Sequence, residues 1–215
     1  YFRDLAMDTS GNLALVGSFQ SSINVGGTTL VSNGGEDCWV ARFNPMGQHL
    51  WSKRYGDTGT DQAVGVDFDA AGNLVVTGSY TGAVDFGNGT LTNGGGEDAF
   101  LVKLSASNGA LQWANHFGKT YYERGKLVSV APDGTIIVGG IFYSFTDFGT
   151  GTINSTGGDD LFLIKYDALG TLLWGKPIGS GSYDDIWALD TDKDNNSGFA
   201  GMFGNYQSTV QKFLP

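Results

Sequence analysis

Apolar and polar residues alternate with a period of two along most of the chain, in short runs bounded by Gly, Asn, Asp and Ser. That period places successive side chains on opposite faces of an extended strand, whereas a helix needs a period near 3.6. In the middle of the chain the runs predict strands over 63–68, 74–80, 99–104 and 111–117. Ala70-Ala71-Gly72-Asn73 follows the first run and Ala106-Ser107-Asn108-Gly109 precedes the fourth. Gly and Asn accept positive φ at low cost, so these are hairpin connections. Between the second and third runs, Asp85-Phe86-Gly87-Asn88-Gly89-Thr90-Leu91-Thr92 is long enough for a decorated loop or a small extra hairpin.

The pattern repeats. Gly34-Gly35-Glu36-Asp37-Cys38-Trp39 returns as Gly95-Gly96-Glu97-Asp98-Ala99-Phe100 and as Gly157-Gly158-Asp159-Asp160-Leu161-Phe162. Asp37 and Asp98 are 61 positions apart, Asp98 and Asp160 are 62 apart, and the same step carries Trp51 to Trp113 to Trp174 and Gly17 to Gly78 to Gly140 to Gly201. Four antiparallel strands per repeat with no helical segment predict an all-β fold, a β-propeller built from four-stranded blades of about 61 residues. A β-solenoid, the rival architecture, repeats in far fewer residues. The small Ala63 and Gly65 suit a crowded innermost strand, and the Trp of each fourth strand suits the wider gap between blades further out.

In this register the chain is one domain, with blades over 1–56, 57–118, 119–179 and 180–215. The fourth blade has strands near 186–189, 198–203 and 209–213, with its decorated loop reduced to 204–208 and no fourth strand. A larger ring, a covering chain or a four-bladed ring with a short last blade each accommodate this. Val210 and Phe213 make the 209–213 edge apolar, so a strand-edge contact with another chain, or with the rest of a longer polypeptide, is expected. A chain that starts at Tyr1 without Met reads as processed or excised.

Composition narrows the function. With 40% apolar residues, 13% aromatics and 35 Gly against 4 Pro, the chain builds a packed core with many tight turns and is neither disordered nor collagen-like. Lys+Arg 12 against Asp+Glu 22 gives a net charge of −10, which repels phosphate backbones and anionic lipid headgroups, so no nucleic-acid partner is expected. No apolar run approaches the roughly 20 residues that span a bilayer. The single cysteine, Cys38, reads as a small core residue and leaves no redox pair or thiolate cage.

The strings Asp69-Ala70-Ala71-Gly72-Asn73, Leu74 to Tyr80, Gly95 to Leu104 and Gly109 to Trp113 resemble the bacterial SBBP-type β-propeller repeats, over essentially the whole chain. The resemblance implies a secreted or surface-exposed bacterial protein, often a very large one, and carries no shared catalytic motif.

Chemistry is sparse. His49 and His116 have no neighbouring ligand or triad partner in the sequence and read as solvated strand residues. The Gly-x-Gly strings lead into strands, so no helix N-terminus awaits a phosphate. No catalytic residue and no cofactor is implied. Asp37, Asp98 and Asp160 open the third strands, where a carboxylate accepts backbone N–H groups and fixes the turn. Asp61, Glu123 and Asp184 recur in the loops entering the next inner strand, so they are expected on one face of the ring, as a circle of acids for a cation or basic peptide or as solubilising charge. Asp190, Asp192 and Asp194 alternate along a tight loop, in a pattern that suits Ca²⁺ but lacks the usual last acid; an acidic hairpin turn is the leading reading and calcium the second. Tyr121, Tyr122 and Tyr183 occupy inter-blade loops as binding aromatics. The expected function is a non-enzymatic extracellular or cell-surface propeller module, a scaffold or a platform for protein or glycan, as in adhesion. A propeller-based hydrolase or lyase, and a purely structural segment of a large surface protein, are the alternatives.

Overall fold

The computed structural model describes residues 1–149 and 151–204, and the backbone of 207–213. All regular structure among the described residues is β. The first sheet takes β1 (Phe2–Met7), β2 (Leu13–Phe19), β5 (Asp37–Phe43) and β6 (His49–Tyr55), with a small hairpin, β3 (Ser22–Ile23) and β4 (Leu30–Val31), between its second and third strands. The second takes β7 (Asp61–Phe68), β8 (Leu74–Tyr80), β11 (Asp98–Leu104) and β12 (Leu111–Phe117), again with a hairpin, β9 (Ala83–Asp85) and β10 (Thr90–Thr92). The third takes β13 (Glu123–Val130), β14 (Ile136–Asp147), β15 (Thr152–Tyr166) and β16 (Leu172–Ile178), and the fourth β17 (Asp185–Thr191), β18 (Ser197–Phe203) and β19 (Gln207–Phe213). In the third sheet the decorating hairpin is fused into the long β14 and β15 rather than standing apart, with Asp147 facing Thr152 across its end.

Each sheet is an up-and-down antiparallel blade, and the first strands β1, β7, β13 and β17 lie side by side in succession. All four slip register by one residue at the same place, between Phe2 and Asp4, Ala63 and Gly65, Gly125 and Leu127, and Ile186 and Ala188. A bulge sharpens the local twist, which a narrow inner strand needs. The recurrent glycine of the second strand sits opposite this point. A β-carbon on Gly78 would lie 1.8 Å from the carbonyl oxygen of Gln62, and one on Gly140 would lie 2.1 Å from that of Arg124. No side chain fits there, which is why the same residue marks every repeat.

Between blades the core is apolar. Ala14, Val16, Cys38 and Val40 of the first blade meet Ala63, Val66, Leu74 and Val76 of the second. The decorating hairpins supply a wedge: Phe86 packs 5.0 Å from Tyr55 and 4.8 Å from Phe100, and Phe148 sits 5.7 Å from Phe117 and 5.0 Å from Phe162. Trp51, Trp113 and Trp174 occupy equivalent outer-strand positions and pack between blades, as the repeat predicts. The side chains of Val210 and Phe213, and residues 205, 206, 214 and 215, lie outside the described residues.

Candidate functional site

The loops between blades and the Gly-Gly strings meet along one edge of the sheets, and each junction is built the same way. The peptide N–H of Asp61 donates to Glu36 O at 2.6 Å, that of Glu123 to Glu97 O at 2.7 Å, and that of Asp184 to Asp159 O at 2.7 Å. The first acid of each Gly-Gly-acid-Asp string then clamps side chains. Glu36 accepts from Ser18 Oγ at 2.7 Å and from Gln62 Nε2 at 2.6 Å. Glu97 accepts from Ser79 Oγ and, at 2.7 Å, from Arg124 Nε. Asp159 accepts from the Tyr122 hydroxyl.

The second acid behaves as expected on one oxygen: Asp37 accepts from Asn33 N at 3.0 Å, Asp98 from Gly94 N at 2.8 Å and Asp160 from Thr156 N at 2.8 Å. Its other oxygen turns toward the next blade's acid. Asp61, Glu123 and Asp184 are 0%, 0% and 2% exposed, so the expected surface circle of acids is instead a set of sealed inter-blade groups, out of reach of a basic peptide. The reason is the neighbouring blade, whose Gly-Gly string covers the loop. Burial pushes the Asp61 carboxyl up to about 7, and burial, with Asp98 adding to it, pushes that of Glu123 up to about 7.

The tyrosines form the exposed feature of the same edge. Tyr121 stands at right angles to Tyr143 at 5.5 Å and to Phe145 at 6.1 Å. Tyr122 stacks on Tyr143 at 5.7 Å, and the Arg124 guanidinium lies 4.7 Å from the Tyr122 ring centre. Tyr183 lies across Gly158, where a β-carbon would meet its ring at 2.9 Å. Tyr121 is 43% and Tyr183 64% exposed. A shallow depression of about 430 Å³ beside them is lined by Thr81, Gly96, Glu97, Thr120, Tyr121, Tyr122 and Arg124. Burial, reinforced by the bond to Asp159, raises the Tyr122 hydroxyl. Sequence reasoning found Tyr121, Tyr122 and Tyr183 but not Tyr143, Phe145, Arg124 or Glu97. The signal for the first two was the aromatic run Phe142, Tyr143, Phe145, which looks like core until β14 continues beyond the blade.

The remaining candidates are dispersed. Asp190 lies exposed at the end of β17, with Oδ1 accepting from Thr191 N at 2.8 Å. Asp192 caps the turn, accepting from Asp194 N and Asn196 N at 2.9 Å each, and Asp194 is paired with Lys193 at 2.8 Å. Asp8 and Asp69 cap the corresponding turns in the same way, with Asn12 and Asn73. Among the described residues no three His, Cys, Asp or Glu side chains are grouped to hold a metal ion. Cys38 is buried. His49 bonds Ser52 Oγ at 3.0 Å, and the exposed His116 meets the buried Tyr80 hydroxyl through Nδ1 at 3.0 Å.

No family model and no curated relative matches the chain. Among solved structures, one described as the structure of the Dos1 propeller is similar with a TM-score of 0.50 at 12% sequence identity, over 98% of this chain and 44% of that one. The chain therefore spans less than half the length of that neighbour. At such identity the likeness speaks to fold alone, and together with the four successive blades it makes this chain a β-propeller.

Proposed function

We propose that the chain is a non-enzymatic propeller module of a bacterial surface or secreted protein, and that the face carrying Tyr121, Tyr143 and Tyr183 docks a protein partner. The observation that carries this reading is the exposed tyrosine cluster, with Arg124 stacked on it and the polar rim of Glu97, Thr81 and Thr120. Tyr and Arg dominate the energetic centres of protein interfaces because they offer large, stiff contact area with a polar handle. The rings are fixed against one another and against the Gly-Gly strings before any partner arrives, which lowers the ordering cost of binding. A chain of charge −10 favours a neutral or basic partner surface. The non-enzymatic reading draws support from the recurrent acids Asp61, Glu123 and Asp184, which are buried between blades. The secreted location rests on the SBBP-type repeat strings.

The test compares wild type with a Tyr121→Ser/Tyr143→Ser variant as immobilised baits against a native cell-envelope extract and a glycan array. A protein held by wild type and released by an equally stable variant supports the reading. Equal capture by both, or retention of a glycan alone, overturns it.

A further inference from the structure

We propose that each of the three blade junctions is a proton-binding site, in which Asp37 and Asp61, Asp98 and Glu123, and Asp160 and Asp184 hold one proton between two buried acids and so bind blade to blade. The first two junctions share one geometry, and in the third Asp160 alone lies against the equivalent glycine, Gly179, with Asp184 beside it. Both acids of each of the first two pairs converge on a glycine of the loop: a β-carbon on Gly56 would lie 2.7 Å from Asp37 Cγ and 2.8 Å from Asp61 Oδ2, and one on Gly118 would lie 2.3 Å from Asp98 Cγ and 2.8 Å from Glu123 Oε2. One oxygen of each acid is anchored by a backbone N–H four residues away, as in Asp57 N to Asp61 Oδ2 at 3.1 Å and Lys119 N to Glu123 Oε2 at 3.3 Å. The other oxygens, Asp37 Oδ1, Asp61 Oδ1, Asp98 Oδ1, Glu123 Oε1 and Asp160 Oδ1, are buried without a hydrogen-bond partner. The hydroxyl of Thr146, a fully buried residue of the same blade as Glu123, is turned toward the Glu123 carboxyl and pulls against its rise.

Buried acceptors in such number need a donor. A proton supplies it: the neutral acid's O–H donates to the facing carboxylate oxygen, one charge is removed, and like-charge repulsion becomes a charge-assisted hydrogen bond. A metal cation fits worse, because the anchoring groups around each pair are N–H donors that point positive hydrogens inward. Burial raises Asp61, Glu123, Asp98 and Asp160, each against the pull of its backbone N–H bond.

The charged and titratable surroundings differ among the three copies. Arg54 of the outer strand donates to Asp37 at 2.7 Å, with Asp57, Glu36, Cys38 and Tyr80 also near the first pair. At the equivalent outer-strand position the second pair has His116, together with Lys119 and Tyr80, and the third has Pro177, with Asp159 as a further charge. In the third, Ser180 Oγ and Gly204 N each donate to Asp184 Oδ1 at 2.8 Å. Unfolding above the ordinary carboxyl range releases each shared proton to solvent, so a rise in pH from that range toward 7 favours parting of the blades.

The experiment follows the urea unfolding of the 215-residue chain from pH 5 to pH 9. The unfolding constant of wild type is expected to rise with pH up to about 7, by as much as tenfold per pH unit for each shared proton. An Asp61→Asn/Glu123→Gln variant, whose amides donate where the proton did, is expected to lose most of that rise. Stability in wild type that is flat or increasing over this range, an unchanged slope in the variant, or a selective gain from millimolar Na⁺ or Ca²⁺ at pH 8 each overturns the proposal. Carboxyl ¹³C titration of wild type decides the matter if the variant does not fold: Asp61 and Glu123 resonances that titrate near 7 support it, and titration below 5 overturns it.

Discussion

The indole of Trp51 lies across the α-carbon of Gly109, which belongs to the outer hairpin turn of the following blade. A β-carbon there would sit 2.8 Å from Trp51 Cζ3, and the indole Nε1 donates to Ala106 O of the same turn at 3.0 Å. The Trp113 ring covers Gly170 of the next turn, without the matching indole hydrogen bond. The Trp and the turn glycine of neighbouring repeats are thus two halves of one contact, each meaningless without the other.

Replacing Trp51 with Ala is expected to cost about 3–5 kcal/mol in chemical denaturation, the usual range for a buried aromatic. Gly109→Ala is expected to be destabilising too, because its φ of +65° disfavours a side chain and the added carbon strikes the indole. A double variant that loses much less than the sum would verify that both act through the same contact.

Gly78→Ala addresses the backbone instead. The new carbon would meet the carbonyl of Gln62 at 1.8 Å and Phe100 at 2.9 Å, and the first of these cannot move without parting β7 from β8. A loss above about 4 kcal/mol, or failure to accumulate as folded protein, is expected. Cooperative unfolding with a midpoint near that of wild type would contradict the inner-strand geometry.

Physical necessity decided what could be read from the sequence. Gly17, Gly78, Gly140 and Gly201 stood out because sterics at the inner strand permit nothing else, and the Trp positions because a large gap recurs between blades. Asp61, Glu123 and Asp184 were located correctly along the chain but not in depth. An acid in a loop ordinarily faces water, and what buries these is the preceding blade's Gly-Gly string, which only the ring geometry brings into place. The same geometry gives Glu36 and Glu97 their partners Gln62 and Arg124 across the junction. Tyr143 and Phe145 were passed over because alternation in a strand looks the same whether the strand ends with the blade or continues past it; Ser144, at φ +72°, breaks the alternation between them. Asp190, Asp192 and Asp194 share a spacing but not a role, since the strand ends between the first and the second.

The acid limb of stability has a separate source from the junction acids. Burial alone would raise Asp69, but the Asn73 side chain, the Lys103 ion pair at 2.9 Å and the Asn73 N–H outweigh it and hold the carboxyl below its ordinary 3.8. Asp8 is lowered in the same manner by Asn12, with Arg42 adding to it. A lowered carboxyl contributes stability above its unfolded value and loses it as pH falls through the folded one. Stability is therefore expected to fall below about pH 4. Asp69→Ala, which strands the buried Lys103 ammonium, is expected to cost about 3 kcal/mol at pH 6 and to weaken that acid dependence. Urea titrations at pH 3, 4 and 6 test both parts, and an unchanged pH profile in the variant would contradict the assignment.

Phe86 and Phe148 test whether the junctions are independent. Each is the buried tip of a decorating hairpin, 4% exposed, and each fills one gap: Phe86 against Tyr55 and Phe100, Phe148 against Phe117, Phe142 and Phe162. The two rings share no aromatic partner and belong to separate core clusters. Truncation of either to Ala is expected to cost about 3–5 kcal/mol. In a repeat architecture whose stability is a sum of blade and nearest-neighbour terms, the costs add when the junctions do not communicate. The double variant is then expected to lose the sum of the two within about 0.5 kcal/mol. The alternative is a single cooperative unit in which loosening one junction already releases the other, and it gives a double variant well short of additive. Urea denaturation followed by both far-ultraviolet circular dichroism and tryptophan fluorescence separates the cases, because one cooperative unit gives coincident transitions by both probes and independent junctions do not.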